Sequence, residues 1–315
     1  KNKSTTIYGN IVAFDQSPIN ANLLYAGTDD GLIQVSEDGG NTWNKKDAFK
    51  GIPEMTYINM LWASQHDENV VYAAFNNHKR GDFKPYIMKS VDKGVTWVAL
   101  QSDLPERGTV YSIAEDHVES NLLFAGTEFG CYVSVNGGQN WVELSAGLPT
   151  ICVRDMAIQK RENDLVLGTF GRGFYILDDY SPLRKLTKEE LDEDAKIFPI
   201  KKSLAYVESN PLGLKGVGGQ GASLYSAPNP EFGATFTYHV KEKPKSLKEQ
   251  RQDAEKKAKE DGKDIDYPSY EEFVAEDTHE KAYLLFIVKD GLGNEVRKLR
   301  HPNSEGIQRV SWNLR

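Results

Sequence analysis

The octapeptide Ser36-Glu37-Asp38-Gly39-Gly40-Asn41-Thr42-Trp43 constrains this chain more than any other stretch in it. It returns as Ser90-Val91-Asp92-Lys93-Gly94-Val95-Thr96-Trp97, and in weaker form as Ser134-Val135-Asn136-Gly137-Gly138-Gln139-Asn140-Trp141. Three copies of one pattern at similar spacing imply stacked structural repeats. Such units bury their apolar faces only against their neighbours.

The surrounding text repeats as well. Alternating apolar segments predict a first strand at 11–14, 58–62, 110–114 and 153–158, each followed by a polar turn. A second strand, typified by Leu122-Leu123-Phe124-Ala125-Gly126-Thr127, comes next in all four repeats, then a tight turn and a third strand. In repeats one to three the Trp motif leads into a short fourth strand that opens with Trp43, Trp97 or Trp141. The repeats start at Ile11, Ile58, Val110 and Val153, which lie 47, 52 and 43 residues apart. The second is longer because its strand-two-to-strand-three turn carries an insert at 76–84. Repeat four ends in Leu177-Asp178-Asp179-Tyr180, without Gly or Trp, as a terminal repeat should. Four short strands per repeat of this length make a propeller blade.

The motif reads as a structural device. Its glycines admit the positive φ of a tight hairpin, and its Ser and Asp side chains can bond turn N–H groups. The Trp ring can wedge between sheets. On this reading Ser36, Asp38, Gly40, Thr42, Trp43, Ser90, Asp92, Gly94, Thr96, Trp97, Ser134, Asn136, Gly138 and Trp141 are architectural rather than catalytic.

Beyond Ser181-Pro182 the repeat stops. A Thr187-Lys188-Glu189-Glu190 cap predicts a short helix to about residue 195, and strand-like text follows at 197–207. Gly216-Val217-Gly218-Gly219-Gln220-Gly221 has the form G-x-G-x-x-G, but no strand leads into it and no helix follows, which excludes a dinucleotide site. A strand is predicted at 234–240, and caps at Ser246 and Ser269 open two helices, the first highly charged. Three strands close the chain at 282–289, 294–300 and 307–313. The division expected is blades at 1–184, a linker with a short helix at 185–200, and a β domain at 201–315 with a helical insertion at 245–280.

The S-x-D-x-G-x-T-W motif resembles the Asp-box of BNR-type β-propellers, a group that includes sialidases, xyloglucanase-type hydrolases and sortilin-like receptor domains. The stretch from Val153-Arg154-Asp155-Met156 to Gly171-Arg172-Gly173-Phe174-Tyr175-Ile176-Leu177-Asp178-Asp179 is most similar to secreted Bacteroidetes proteins labelled sortilin-like or glycosyl hydrolase. The C-terminal strands, with Tyr283-Leu284, Asp290 and Gly293-Asn294-Glu295-Val296-Arg297, resemble the Ig-like domain of flagellar hook-capping proteins. The fold class expected is therefore mostly β: a partial propeller of four Asp-box-type blades, then an Ig-like sandwich with a charged helical insertion. The resemblance implies a larger ring, with Lys1 a cut point and further blades upstream or on another chain. It also implies an Ig-like module that is C-terminally incomplete, and a secreted, periplasmic or outer-surface location.

The net charge of −8, from 38 basic and 46 acidic residues, argues against a nucleic-acid partner. No apolar run reaches the roughly 18 residues of a membrane helix. Cys131 and Cys152 fit neither a disulfide framework nor zinc spacing, and read as small buried side chains or as one disulfide. No cofactor or metal is expected.

Sialidases need an arginine cluster and a Tyr–Glu pair, and inverting hydrolases need two carboxylates roughly 6.5–9.5 Å apart. Neither set can be assigned. Ligand contacts are expected on the rim opposite the Trp turns, at Asn77, His78, Lys79, Arg80, Glu128, Phe129, Arg154, Asp155, Phe170 and Arg172. In register, Val12, Asn59, Tyr111 and Arg154 share one first-strand position. The insert departs from the repeat, and loops carry function. These features point to a non-catalytic scaffold that binds a protein or glycan. The rival is a fragment or subunit of a glycoside hydrolase.

Overall fold

The computed structural model describes residues 9–100, 102–207, 229–265 and 267–315. The glycine stretch at 216–221 lies outside them. The chain forms two compact units, Lys1–Arg184 and Lys185–Arg315.

The first unit is a partial β-propeller of four antiparallel sheets, each in sequential strand order. Blade one holds β1 (Ile11–Gln16), β2 (Leu24–Thr28), β3 (Ile33–Ser36) and β4 (Asn44–Lys46). Blade two holds β5 (Tyr57–Ala63), β6 (Val71–Asn76), β7 (Tyr86–Ser90) and β8 (Val98–Ala99). Blade three holds β9 (Val110–Glu115), β10 (Leu123–Thr127), β11 (Cys131–Ser134) and β12 (Val142–Glu143). Blade four holds β13 (Val153–Gln159), β14 (Asp164–Thr169) and β15 (Phe174–Leu177). Each fourth strand begins one residue after its Trp, not at it as the sequence suggested. In Trp43 and Trp97 the indole thus folds back over its own turn.

Burial follows the stacking. One apolar cluster joins blades one and two, around Tyr25, Ile33, Ile58 and Phe75. A second joins blades two and three, around Tyr72, Ile87, Val110 and Tyr132. A third joins blades three and four, around Phe124, Val133, Val153 and Tyr180. Close approach at these joints needs bare backbone. A Cβ on Gly126 would come within 2.8 Å of Val153 Cγ1 in the next blade, and one on Gly27 within 2.5 Å of Ile58 Cγ2. A half-buried and a buried carboxylate stitch the joints: Ala63 N donates to Asp15 at 2.6 Å, and Gln65 N donates to Glu115 at 2.9 Å.

The Trp turns are built as their residue types require. Ser36 Oγ accepts Gly40 N at 2.8 Å, and Asp38 accepts Thr42 N at 2.9 Å and Thr42 Oγ1 at 2.6 Å. Ser90, Asp92 and Thr96 repeat the set, and Ser134, Asn136 and Asn140 keep its backbone bonds. These bonds, Thr42's first, hold the Asp38 carboxyl down at about 2. Gly40, Gly94 and Gly138 share φ values of 94, 87 and 89°, while the preceding position takes Gly39, Lys93 or Gly137. A Cβ on Gly138 would also meet Leu100 at 2.9 Å, so the second position admits only glycine.

The indoles differ between blades. Trp97 packs on the cluster of blades one and two, and Trp141 is built into that of blades two and three. Trp43 Nε1 and Trp97 Nε1 donate to Gly40 O and Gly94 O of their own turns, whereas Trp141 Nε1 donates to Leu100 O at 2.7 Å. Trp43 is 38% exposed and Trp141 only 6%.

Blade four has no fourth strand. A 3-10 turn, Ser181–Lys185, follows instead. Arg184 grips Asp116 with two bonds of 2.8 Å, and Tyr180 Oη donates to the same carboxylate at 2.5 Å. Burial opposes the charge on Asp116, but Arg184, Tyr180 and Glu119 N outweigh it and hold the carboxyl down at about 2.

In the second unit α1 (Lys188–Asp192) ends earlier than its cap suggested, and β16 (Ala195–Ile197) follows. The strand expected at 197–207 is therefore a correction: strand structure ends at Ile197 and 198–207 has none. Phe198 is buried, but the alternation beyond it meets no partner strand. β16 pairs with β17 (Ala234–Val240), and β17 with β20 (Gly306–Trp312). β18 (Tyr283–Lys289) pairs with β19 (Glu295–Pro302) as a second small sheet. Tyr238 joins the two, its ring 5.0 Å from Phe286 and its hydroxyl 2.9 Å from His301 Nδ1. The insertion is a helix pair, α2 (Leu247–Glu260) and α3 (Tyr270–Thr278), each opened by a full capping box. Arg251 ties them by two bonds to Glu276, at 2.6 and 3.0 Å.

Candidate functional site

Hairpin alternation fixes two rims on the propeller unit. The Trp turns and the strand-one-to-strand-two turns share one rim; the strand-two-to-strand-three turns and blade connections share the other. The second rim carries the feature common to all blades. The ladder between first and second strands slips between Ile11 and Ala13, Ile58 and Met60, Val110 and Ser112, and Val153 and Asp155. The extra residue of each β-bulge is Val12, Asn59, Tyr111 or Arg154, the four residues that sequence register aligned. A bulge re-aims the side chain it carries.

Two bulge residues meet neighbours. Asn59 Nδ2 donates to Tyr111 O, and the Arg154 guanidinium lies 4.0 Å from the Tyr111 ring centre and 5.6 Å from that of Phe170. Both rings prop the guanidinium through cation–π contact. Arg154 makes no ion pair with Asp155, whose Oδ1 instead accepts Met156 N at 2.8 Å.

The insert is ordered by its own side chains. β6 runs through Asn76, Asn77 precedes a 3-10 turn at His78–Arg80, and Gly81 ends it at φ 78°. Asn76 Oδ1 accepts from His78 N at 3.1 Å and contacts the His78 ring nitrogen. Asn77 Nδ2 donates to Asp82 at 3.1 Å, Tyr86 Oη donates to it at 2.7 Å, and Arg80 donates to Glu54 O at 2.7 Å. Burial raises the Asp82 carboxyl, but the bonds from Tyr86, Asn77 and Lys84 N outweigh it and hold it below the usual range. Lys79 Nζ sits 5.6 Å over the Tyr57 ring.

These pieces enclose a cavity of ≈ 210 Å³, lined by Asp29, Met55, Tyr57, Asn59, Asn76, Asn77, His78, Lys79, Arg80 and Arg154. Burial first, then the charge of Asp29, raises the Tyr57 hydroxyl. Asp29 accepts Asn10 N at 2.9 Å and Asn10 Nδ2 at 3.2 Å.

The cavity thus gathers Asn77, His78, Lys79, Arg80 and Arg154 from the expected residues. Phe170 reaches it only through Arg154. Glu128, Phe129, Asp155 and Arg172 are not in its wall. Glu128 Oε2 is buried without a hydrogen-bond partner among the described residues. Met55 and Tyr57 are wall residues that sequence reading missed, because they precede the first-strand pattern. Cys131 is buried and Cys152 half-buried; they are not bonded to each other. Among the described residues no cluster suits a metal ion, and no helix is long and apolar enough to cross a membrane.

No family model and no curated protein matches the chain. Among solved structures it is similar to the GH74 enzyme of Niastella koreensis, with 14% identity and a TM-score of 0.43, over 54% of this chain and 29% of that one. It is similar to YCF48 from Cyanidioschyzon merolae, with 19% identity and a TM-score of 0.42, over 54% of each chain. It is also similar to the Cps50 (Swd1) β-propeller domain of Myceliophteria thermophila, with 13% identity and a TM-score of 0.39, over 53% of this chain and 51% of that one. The chain spans less than two thirds of the length of each of these structures.

Proposed function

We propose that the protein is a secreted or cell-surface binding scaffold of the Asp-box propeller type, which takes a protein or glycan partner on the rim holding this cavity. One observation carries the reading: the insert, which departs from the repeat, and two of the four bulge residues, Asn59 and Arg154, converge on one cavity. In this reading the second unit is an Ig-like module, a description its two small sheets around Tyr238 support. The exposed Trp43 supports a further blade against blade one.

The test is binding of partner peptides and oligosaccharides to the full chain, with His78, Lys79 and Arg80 replaced together by Ala. Binding lost at an unchanged melting temperature supports the scaffold. The second reading, a glycoside hydrolase fragment, has one observation in its favour: Glu128 Oε2, buried and without a hydrogen-bond partner among the described residues, is a carboxylate oxygen not committed to the fold. Release of reducing ends from xyloglucan or aryl-glycosides, abolished by Glu128→Gln or Asp155→Asn in a folded protein, would replace the scaffold reading.

A further inference from the structure

The three asparagine side chains around the cavity are already committed within the protein. Asn59 Nδ2 goes to Tyr111 O, Asn77 Nδ2 to Asp82, and Asn76 Oδ1 to His78. The carboxylate in the wall, Asp29, accepts two bonds from Asn10. The cations stand differently. Lys79 and Arg154 rest on aromatic rings, and Arg80 gives one bond to a carbonyl; none of the three is ion-paired among the described residues. This surplus of positive charge sits in a chain whose net charge is −8. A guanidinium held against two rings is pre-oriented, and a hydrogen bond toward the half-buried Cys152 side chain still leaves most of its five N–H donors for a carboxylate fork.

The positive rim extends past the cavity. Arg107 lies 4.9 Å from the Phe83 ring at the base of the insert, and Arg172 is exposed on the strand-two-to-strand-three turn of blade four. The cavity is small, ≈ 210 Å³, the scale of one side chain rather than of a whole ligand. One side-chain-sized socket within a wider line of cations suits a chain of anionic groups more than a single ion.

We infer that this rim binds an acidic polypeptide segment, with one Asp or Glu carboxylate seated between Lys79, Arg80 and Arg154 and its neighbours on the outer cations. The inference rests on the scaffold reading and names its partner chemistry. It involves no covalent step.

The experiment uses the full chain and a fluorescein-labelled peptide of alternating Glu and Gly, read by anisotropy at low salt. Its Gln-Gly counterpart, oligogalacturonate and inorganic phosphate are the other probes. The Glu peptide should bind at least about tenfold tighter than the Gln peptide, and added salt should weaken it. Arg154→Gln, and Lys79→Gln with Arg80→Gln, should each weaken it about tenfold at an unchanged melting temperature. Lys45→Gln, outside the cavity wall, should leave it unaltered. Equal binding of the two peptides overturns the charge assignment but leaves the rim as a binding surface. Preference for oligogalacturonate overturns the polypeptide, and competition by phosphate at equal affinity reduces the site to a small-anion pocket. Wild-type affinity in the rim variants also overturns the inference. Failure of every peptide and glycan probe removes the scaffold reading beneath it.

Discussion

The two rims of the propeller unit use the same kinds of side chain in opposite ways. On the Trp-turn rim, Ser, Asp and Thr close on one another and on the backbone, blade after blade, with the same partners and near-equal distances. On the other rim the blades diverge, and Lys79 and Arg154 stand beside aromatic rings with no ion pair among the described residues. Polar groups that satisfy each other are structure. Polar groups that recur in position but not in chemistry, and keep free donors, are available to something else.

Substitutions can break or sharpen this contrast. The largest expected effect is at Asp116, on the Trp-turn side of blade three, where Asp116→Ala leaves the half-buried Arg184 without its carboxylate. A loss of about 3–5 kcal/mol is expected in denaturant unfolding, with peptide affinity unaltered in the folded fraction. Trp141→Ala should cost about as much, roughly 3–5 kcal/mol, because the ring is core. Trp43→Ala should cost about 1 kcal/mol, because its ring is only partly covered. Equal losses for the two indoles would show that Trp43 is covered in solution, by another blade or a second copy. Ser90→Ala, which strips the acceptor for Gly94 N, should cost about 1–3 kcal/mol.

Acid supplies a graded version. Asp116 titrates at about 2 in the folded chain, below the roughly 3.9 of an unfolded Asp. As pH falls the unfolded chain takes up the proton first. The stabilisation is therefore whole above about pH 4 and lost progressively toward pH 2. Melting temperature against pH should show this slope, and Asp116→Asn should make it shallower, leaving the part that Asp38 contributes in the same window. The smallest stability effect is expected at Lys79→Gln with Arg80→Gln, within about 0.5 kcal/mol. If those two replacements cost as much stability as Asp116→Ala, the separation of the two rims is wrong.

Most of the propeller unit could be read from the sequence, because its elements repeat and each copy corrects the others. The Ala-Gly-Thr strands, the Trp turns and the missing fourth strand of blade four are local patterns. What escaped reading is what joins distant segments. Asp116, Tyr180 and Arg184 show no common signal in sequence, yet they anchor the last blade. The same holds for Asp15 and Glu115, which look like surface carboxylates at strand ends but bridge to the next sheet or the one before it. At 198–207 alternation alone suggested a strand, but a strand also needs a neighbour to pair with. At the candidate site the insert was visible as a break in period and Arg154 by register. Tyr57 and Met55 were not, because they precede the first-strand pattern and a wall assembled from three blades has no footprint in any one of them.

The bulge shared by all four blades has a further consequence. It gives each blade one side chain whose placement is set by the backbone and whose identity the sheet scarcely constrains. Val12, Asn59, Tyr111 and Arg154 are apolar, amide, phenol and cation in the same seat. At Val12, Asn59 and Arg154 a change alters what the rim presents without removing a ladder bond, whereas Tyr111 is buried beneath the Arg154 guanidinium and serves as its support. The same backbone seat thus serves as a prop in one blade and as an outward-facing side chain in others.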